Sequence, residues 1–570
     1  MIACVQTDTT DTTDVHVMAK KSIDHGVTFA NASALLAPYQ RADSGEGLGG
    51  VAWLDYDNDG DLDLLLTNGV FNVNGLFRND DGAFTDVTLA SGLIVGSGSS
   101  GVVVGDLDND GDSDVFLTGE GHLVGPQQTP AQLFANNGDG TFTNKTATAG
   151  IAANDSALGA AMGDVNGDGL LDIFIASPGH IPFLTGPGTG ESHPNKLYIN
   201  NGNLTFTDVA AAAGVTGEYV YPLPGIGVVT DGACVASFID YDMDDKLDIL
   251  VGNCNAYPYT PFPMPVRPTP FNLYRNNGDG TFTDMRDAAG LNVLGFWMGL
   301  ALGDIDNDGD TDFFATSTGT FADGQFPHVL MRNNGDGTFT NVATDAGLQE
   351  FGWGATMADF DNDGDLDLYQ VGALPLFGAI GPGLGSPGRL YFNDGAGTFT
   401  DSTASTGVNL SFDYTSGVAQ GDYDGDGFAD LVVMTAPWSA GGASNPNGAP
   451  VLLRNEGNNN NAITVRLVAA DNSSVVGARV RLKLGGDRQY RTIRAGTSMA
   501  SSESPWPSFG IGHKKKAKLV VTWPSGCIEK FKNVRRGALR TLVEGTGKSK
   551  CGCHHAHDHS DDDDDDGDDD

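Results

Sequence analysis

Nine residues, Asp55-Tyr-Asp-Asn-Asp-Gly-Asp-Leu-Asp63, set a carboxylate spacing that returns six more times in this 570-residue chain. The copies run over Asp106–Asp114, Asp164–Asp172, Asp240–Asp248, Asp304–Asp312, Asp359–Asp367 and Asp422–Asp430. Seven copies are not chance. They make the chain a repeat, so the fold must place the same acidic loop in the same structural setting each time.

Each copy puts Asp or Asn at loop positions 1, 3, 5 and 9, with Gly usually at position 6, where the chain must turn sharply at positive φ. Closely spaced carboxylates plus a carbonyl and water suit calcium, which takes 6–8 oxygens in flexible geometry, better than magnesium. In the first loop the expected ligands are the side chains of Asp55, Asp57, Asp59 and Asp63, with the main-chain carbonyl of Asp61 between them. The second and third sets are Asp106, Asp108, Asp110, Asp112 and Asp114, then Asp164, Asn166, Asp168, Leu170 and Asp172. The fourth and fifth are Asp240, Asp242, Asp244, Lys246 and Asp248, then Asp304, Asp306, Asp308, Asp310 and Asp312. Asp359, Asp361, Asp363, Asp365 and Asp367 form the sixth, and Asp422, Asp424, Asp426, Phe428 and Asp430 the seventh. Up to seven structural Ca²⁺ ions are therefore expected. Solvated Asp-Gly turns are the bland alternative, but a plain turn does not need Asp at four fixed offsets. Two loops are degraded: Asn166 replaces an acid in the third, and Asp245 replaces the glycine in the fourth, which should be the weakest site.

An EF-hand loop opens the same way but needs a bidentate Glu at position 12 and flanking helices. Position 12 here is Leu66, Leu117, Ile175, Val251, Ala315, Gln370 and Val433. The residues after each loop read as strand, as in Leu247-Asp-Ile-Leu-Val-Gly252, which places the loops at the tips of β-hairpins.

A larger unit surrounds each loop. A Gly-rich strand such as Gly50-Val-Ala-Trp-Leu54 precedes it, and a second strand follows. A third strand then leads to a tight turn and a fourth strand, as in Asn137-Gly-Asp-Gly-Thr-Phe-Thr143. Four antiparallel strands at a period of about fifty residues or more predict propeller blades. Only six fourth strands follow a loop in this form. The seventh is supplied by His25-Gly-Val-Thr-Phe-Ala-Asn-Ala-Ser33 at the N-terminus, which should close the ring on strands near Ser416–Asp422, Ala429–Thr435 and Val451–Arg454. The fold expected is all-β: a seven-bladed β-propeller with calcium loops between strands 1 and 2 of each blade, plus a small C-terminal β-sandwich-like domain.

Strand order places the acidic loops and the Asn-Gly-Asp-Gly turns on one face and the 2–3 connections on the other. Those connections vary most, and variable loops on a rigid scaffold are where recognition usually resides. The Pro- and aromatic-rich Asn255–Arg267 offers Tyr257, Tyr259, Phe262 and Arg267 as contact residues, although they could equally pack over the disc. Gly381-Pro-Gly-Leu-Gly-Ser-Pro-Gly388 has no following helix to present amides to a phosphate, so it is no nucleotide site.

Charge divides the chain. Residues 1–462 carry net −46, residues 463–550 net +13 and residues 551–570 net −10. Acidity on this scale argues against nucleic acid as the partner of the large domain. Seven divalent ions would relieve much of its self-repulsion. The sign change marks a boundary, giving an N-terminal segment (1–22), the propeller (23–461), a basic β-domain (462–546) and a Cys/His/Asp-rich tail (547–570) expected to be disordered. The tail's thiols and imidazoles match no closed zinc site. In the basic domain, Ala478-Arg-Val-Arg-Leu-Lys-Leu484 alternates as a half-buried strand does. Its Lys514-Lys-Lys516 could touch the propeller or an anionic polysaccharide, or could be a solvated turn.

Cys234 and Cys254 lie equidistant from the centre of the fourth loop and could face each other across the hairpin as a disulfide; two buried thiols are the alternative. No stretch of 18 apolar residues exists to span a membrane and no signal peptide is visible, although Cys4 after Ile-Ala resembles the end of a lipoprotein signal.

The Gly-rich strand followed by Asp-x-Asp-x-Asp-Gly-x-x-Asp resembles the FG-GAP/VCBS repeats of integrin α-subunit propellers. Gly477-Ala-Arg-Val480, Phe509-Gly-Ile-Gly512 and Trp523-Pro-Ser-Gly526 look like the ASPIC/UnbV domain, and the combination is similar to that of the cartilage acidic protein family. The resemblance covers about residues 23–545. It implies a secreted or cell-surface calcium-binding protein of the adhesion or matrix type, with no catalytic residues to carry over. The expectation is a non-enzymatic, monomeric interaction module whose 2–3 loop face binds an extracellular glycan or a matrix or surface protein. The alternative is a polysaccharide-active lyase or hydrolase on the same scaffold.

Overall fold

The computed structural model describes residues 25–36, 49–67, 74–93, 99–119, 130–151, 157–178, 194–220, 228–256, 269–317, 328–348, 352–372, 388–408, 414–436, 438–440, 443–445 and 450–550. Cys4, Tyr257, Tyr259, Phe262, Arg267, most of the 381–388 glycine run and the 551–570 tail lie outside the described residues.

Seven sheets of four or five antiparallel strands follow one another along residues 29–455. The first is Val51–Leu54, Asp63–Leu66, Gly75–Asp80 and Ala83–Asp86, each strand paired with the next. Its sequence shows why. Val51–Leu54 and Asp63–Leu66 are buried along their whole length, as strands covered on both faces must be, whereas Ala83–Asp86 is mostly exposed. The first strands of successive sheets contact one another in order, and Tyr414–Gly421 of the last returns to Val51–Leu54. The sheets therefore form a closed ring with first strands innermost. The last sheet takes its outer strand from the N-terminus: Phe29–Asn31 pairs antiparallel with Leu453–Asn455. This pairing joins the two ends of the ring and leaves no open sheet edge between them.

The fourth sheet is longer than the others. Val228–Ile239 and Asp248–Ala256 run well beyond their neighbours on the side away from the acidic loop, and Glu218–Val220 adds a fifth strand. Cys234 and Cys254 are joined by a disulfide across this hairpin, with Cα atoms 5.6 Å apart.

The C-terminal domain begins with the strand Asn461–Val468. One sheet orders Ser508–Gly512, Asn461–Val468 and Gly537–Val543; the other orders Asp487–Thr492, Arg479–Leu484, Lys516–Thr522, Ile528–Arg535 and Lys548–Lys550. Val465, Leu482, Phe509, Leu519 and Trp523 pack in the core between them.

Sequence reasoning missed how this domain joins the ring. The segment from Ala495 to Ser504 passes along the inner strands of the ring. Met162 N–H donates to Ala495 O at 3.0 Å, Val102 N–H to Ala500 O at 3.1 Å, Ser502 N–H to Val51 O at 2.9 Å and Ser504 N–H to Gln420 O at 3.0 Å. From the sixth sheet, Ala355 N–H donates to Ser498 Oγ at 3.3 Å and Thr356 Oγ1 to Glu503 Oε1 at 2.6 Å. The C-terminal domain thus plugs the ring. Small residues make the approach possible: a Cβ on Gly50 would sit 1.7 Å from Ala500 O.

Candidate metal centre

The seven acidic turns share one construction. The Asp at position 9 is buried and ties the start of the loop to the third strand. Asp63 accepts Tyr56 N–H at 2.9 Å on one oxygen and Asn79 N–H at 2.8 Å on the other. Asp114 does the same with Leu107 and Asn136, both at 2.9 Å, and Asp312 with Ile305 at 2.9 Å and Asn333 at 2.7 Å. The Asp at position 1 accepts amide hydrogens from positions 5 and 6: Asp304 from Asp308 and Gly309, Asp422 from Asp426 and Gly427. Position 6 turns at positive φ as expected, with Gly60 at 96° and Gly364 at 110°. Position 4 does so too, which the spacing did not predict: Asn58, Asn109, Asn307 and Asn362 lie at 58–59°, where Asn is among the tolerated side chains.

These turns bring the predicted oxygens together. Ligand atoms of Asp55, Asp57 and Asp63 lie within 4.8 Å of one another, as do those of Asp106, Asp108 and Asp114, of Asp240, Asp242 and Asp248, and of Asp304, Asp306 and Asp308. At position 3, one oxygen of each of Asp57, Asp108, Asp242 and Asp306 is buried with no hydrogen-bond partner among the described residues. A buried carboxylate oxygen left unpaired is unfavourable, and its recurrence at one loop position fits a hard cation held in common by the surrounding acids. Burial is also the main reason the acids hold their protons. It pushes Asp63, Asp114, Asp248 and Asp312 up to about 8 and Asp106, Asp172 and Asp304 up to about 7, against backbone hydrogen bonds that pull the other way.

Position 7 turns its side chain outward where it is acidic. Asp61 accepts Asp81 N–H at 2.7 Å, Asp112 accepts Asn58 Nδ2 at 2.5 Å and Asp365 accepts Asn307 Nδ2 at 2.9 Å, ties that link loop to turn or loop to loop. In the third loop Asn166 donates to Asp168 Oδ2 at 2.9 Å. The fourth loop differs most. Met243 and Asp245 both adopt positive φ, and its acids are met by the chain's own cations: Lys246 Nζ reaches Asp244 at 2.7 Å and Arg275 Nε reaches Asp242 at 2.6 Å. The sixth loop gains a nitrogen that sequence reasoning missed. His25 Nδ1 lies 2.5 Å from Asp361 Oδ2 beside Asp363, its ring stacked on Phe392 at 4.3 Å.

A second recurrent residue also escaped the sequence reading. The Asn ending each third strand, just before the tight turn, donates its amide to the position-2 carbonyl of a neighbouring sheet's loop. Asn136 reaches Tyr56 O at 2.8 Å, Asn200 reaches Leu107 O at 2.8 Å and Asn276 reaches Val165 O at 2.7 Å. Asn333 reaches Tyr241 O at 2.8 Å, Asn393 Ile305 O at 2.7 Å, Asn455 Phe360 O at 2.8 Å and Asn79 Tyr423 O at 2.7 Å, so the ties run right round the ring. The signal was present as an Asn at one fixed place in every unit.

The basic domain lies over this acidic face. Arg466 donates to Asp55 Oδ2 at 2.9 Å and Asn58 Oδ1 at 2.8 Å, Arg479 to Gly309 O at 2.7 Å, Ser474 N–H to Asn109 Oδ1 at 3.0 Å and Gly510 N–H to Asp359 Oδ2 at 2.9 Å. Arginines and backbone amides, rather than Lys514–Lys516, make these contacts; the three lysines are exposed.

Ring, loops and lid define a class: all-β repeat proteins with a propeller-like ring whose acidic turns sit beneath a C-terminal β-domain. The chain belongs to the FG-GAP-like repeat family, which matches residues 55–117, 122–175, 240–315, 321–369 and 376–433, with an FG-GAP repeat at 414–453. An ASPIC and UnbV domain matches residues 469–549. The chain is 26% identical to cartilage acidic protein 1 of Homo sapiens over 87% of its own length and 71% of that protein's. It is also 26% identical to the Mus musculus protein of that name, over 84% and 70%. Among solved structures, an Agrocybe aegerita lectin aligns over 71% of this chain and 93% of its own at 17% identity and a TM-score of 0.36. Among the described residues no helix is long and apolar enough to cross a membrane.

Proposed function

We propose that this protein is a non-enzymatic, extracellular interaction module in which calcium ions in the acidic turns hold the ring and its lid. The observation carrying the calcium reading is the unpaired, buried oxygen at position 3 of four loops. The acids at positions 1, 3, 5 and 9, with the carbonyl at position 7, would hold each ion. The fourth loop, already countered by Lys246 and Arg275, would hold it least tightly. A disulfide and the family relationship support an oxidising, extracellular setting.

Because the basic domain covers the acidic-loop face, a partner of the ring meets the opposite face. The fourth sheet extends towards that face as far as Ala256, and Tyr257, Tyr259, Phe262 and Arg267 follow it in the sequence. The partner class is a glycan or a matrix or surface protein. A binding screen over glycans and matrix proteins, run with calcium and with chelator, tests the reading. Capture lost on replacing the 257–267 connection supports it, and depolymerisation of an acidic glycan by the purified chain would overturn the non-enzymatic part.

A further inference from the structure

A cavity of about 90 Å³ lies between ring and lid beside the fifth and sixth acidic turns. Asp304 and Asp359 of the ring wall it on one side, and Arg491, Arg494, Glu503 and Trp506 of the C-terminal domain on the other. Two neighbouring positions in the sequence put cations there. Arg491, in the strand Asp487–Thr492, pairs with Val480 and so sits on the sheet face that packs in the core, where a charge is seldom left unmatched. Its guanidinium lies over the Phe509 ring at 5.3 Å. Arg494 comes one residue before the segment that plugs the ring.

The hydrogen bonds these arginines make go to neutral oxygens: Arg491 Nη1 donates to Tyr490 O at 2.9 Å and Arg494 Nη2 to Thr311 Oγ1 at 3.2 Å. Arg491 Nη2 and Arg494 Nε are buried with no hydrogen-bond partner among the described residues. The acids in the wall are engaged elsewhere. Asp304 accepts the amides of Asp308 and Gly309, and Asp359 those of Asp363, Gly364 and Gly510. Glu503 accepts Thr356 Oγ1 at 2.6 Å. Burial pushes the Glu503 carboxyl up to about 7, so near neutral pH it gives Arg494 less than a full counter-charge. Burial also pulls Arg494 down to about 10, which still leaves it charged. Unfilled donors on a desolvated guanidinium are unfavourable, and two such side chains on one cavity call for an acceptor that the wall does not supply.

We propose that Arg491 and Arg494 hold a small tetrahedral oxyanion, sulfate or phosphate, in this cavity. Each guanidinium presents its donors as a planar fork that matches a pair of oxygens. A tetrahedral anion has oxygens enough for both forks, whereas a simple carboxylate fills one. A single water needs roughly 10–15 Å³, so the cavity has room for several waters or one such anion, but not for a nucleotide or a sugar chain. The proposal rests on the calcium reading in one respect. Asp359 and Asp304 attract Arg491 through space, and they would repel the anion unless ions in the fifth and sixth loops met their charge. Calcium and the anion should therefore each raise the other's affinity.

The test uses the full chain in Tris–chloride at constant ionic strength, in calcium and in chelator. Calorimetric titration in calcium should find one sulfate or phosphate bound per chain, more tightly than acetate, with the stronger of the two identifying the anion. Chelation should weaken that binding. Crystals soaked in selenate should show an anomalous selenium peak between Arg491 and Arg494, a measurement that needs only the wild-type chain. Arg491→Lys keeps the charge but loses the fork, and Arg494→Gln loses both; each should weaken sulfate binding about tenfold or more. Lys514→Gln, on an exposed turn, should leave it unchanged. A cavity holding water alone, selenate peaks confined to exposed residues (an adventitious ion only), a preference for acetate, or undiminished binding by the two arginine variants would overturn the proposal. Calcium counted in the same samples separates the two readings. Bound calcium without an anion overturns this proposal alone, whereas a selenate peak in a chain that binds no calcium upholds the site and overturns the calcium reading.

Discussion

Two kinds of residue in each acidic turn do different work. Position 9 is a structural bridge: Asp114 pairs two backbone amides, and Asn136 beside it ties two sheets together. Position 3 leaves an oxygen unpaired, the atom that the proposed calcium would take up. Asn136→Ala should therefore lower stability by about 1–3 kcal/mol for each buried group left unpaired, with calcium or with chelator, whereas Asp114→Ala should do so in chelator and cost more in calcium, where a proposed ligand is also lost. Asp108→Asn should remove much of that loop's response to calcium while changing the chelated protein little. Denaturant unfolding of the three variants in both conditions separates the roles. Titration adds a sign. Asp63, Asp114, Asp248 and Asp312 bind protons more tightly folded, at about 8, than an unfolded Asp does near 3.9. The chelated fold then holds more protons than the unfolded chain between those limits, so its stability should fall as pH rises through that window. Calcium must displace the same protons, so its affinity should rise over that range. Melting curves from pH 5 to 9 in calcium and in chelator check both directions.

At the scale of elements, the acidic turns and the closing strand were legible in the sequence because each repeats a local pattern at fixed offsets. The inter-sheet Asn ties were not, since donor and acceptor are far apart in the chain: 80 residues separate Asn136 from Tyr56. The plug was missed for another reason. Gly496-Thr-Ser-Met-Ala-Ser-Ser502 has the composition of a loop, and only the glycines of the inner strands hinted that another backbone passes close by. Gly50→Ala would put a methyl group against Ala500 O and should loosen the domain, read as faster proteolysis between residues 455 and 510. Replacing Cys234 and Cys254 by Ser removes a cross-link spanning 20 residues and should cost about 3 kcal/mol, read by denaturant unfolding under oxidising conditions.

For the whole molecule, charge organises the architecture. Residues 1–462, which include the ring, carry net −46, and residues 463–550, which include the lid, carry net +13. Arg466, Arg479 and the amides of Ser474 and Gly510 fix the orientation by hydrogen bonds to individual loops. Composition made the two domains and their opposite charge legible. Their interlocking depends on which residues line the inner strands, and that is set by the closed ring rather than by any local pattern. Ring closure, loop geometry and lid docking all converge on the acidic turns, where we propose that cations hold the fold. The most direct test is the thermal unfolding of the full chain, calcium-loaded against exhaustively chelated, with bound calcium counted by titration. Several bound ions, up to one per loop, and a large loss of thermal stability on their removal are expected. A chelated chain that unfolds at the calcium-loaded temperature, or a titration finding no bound calcium, would contradict the proposal.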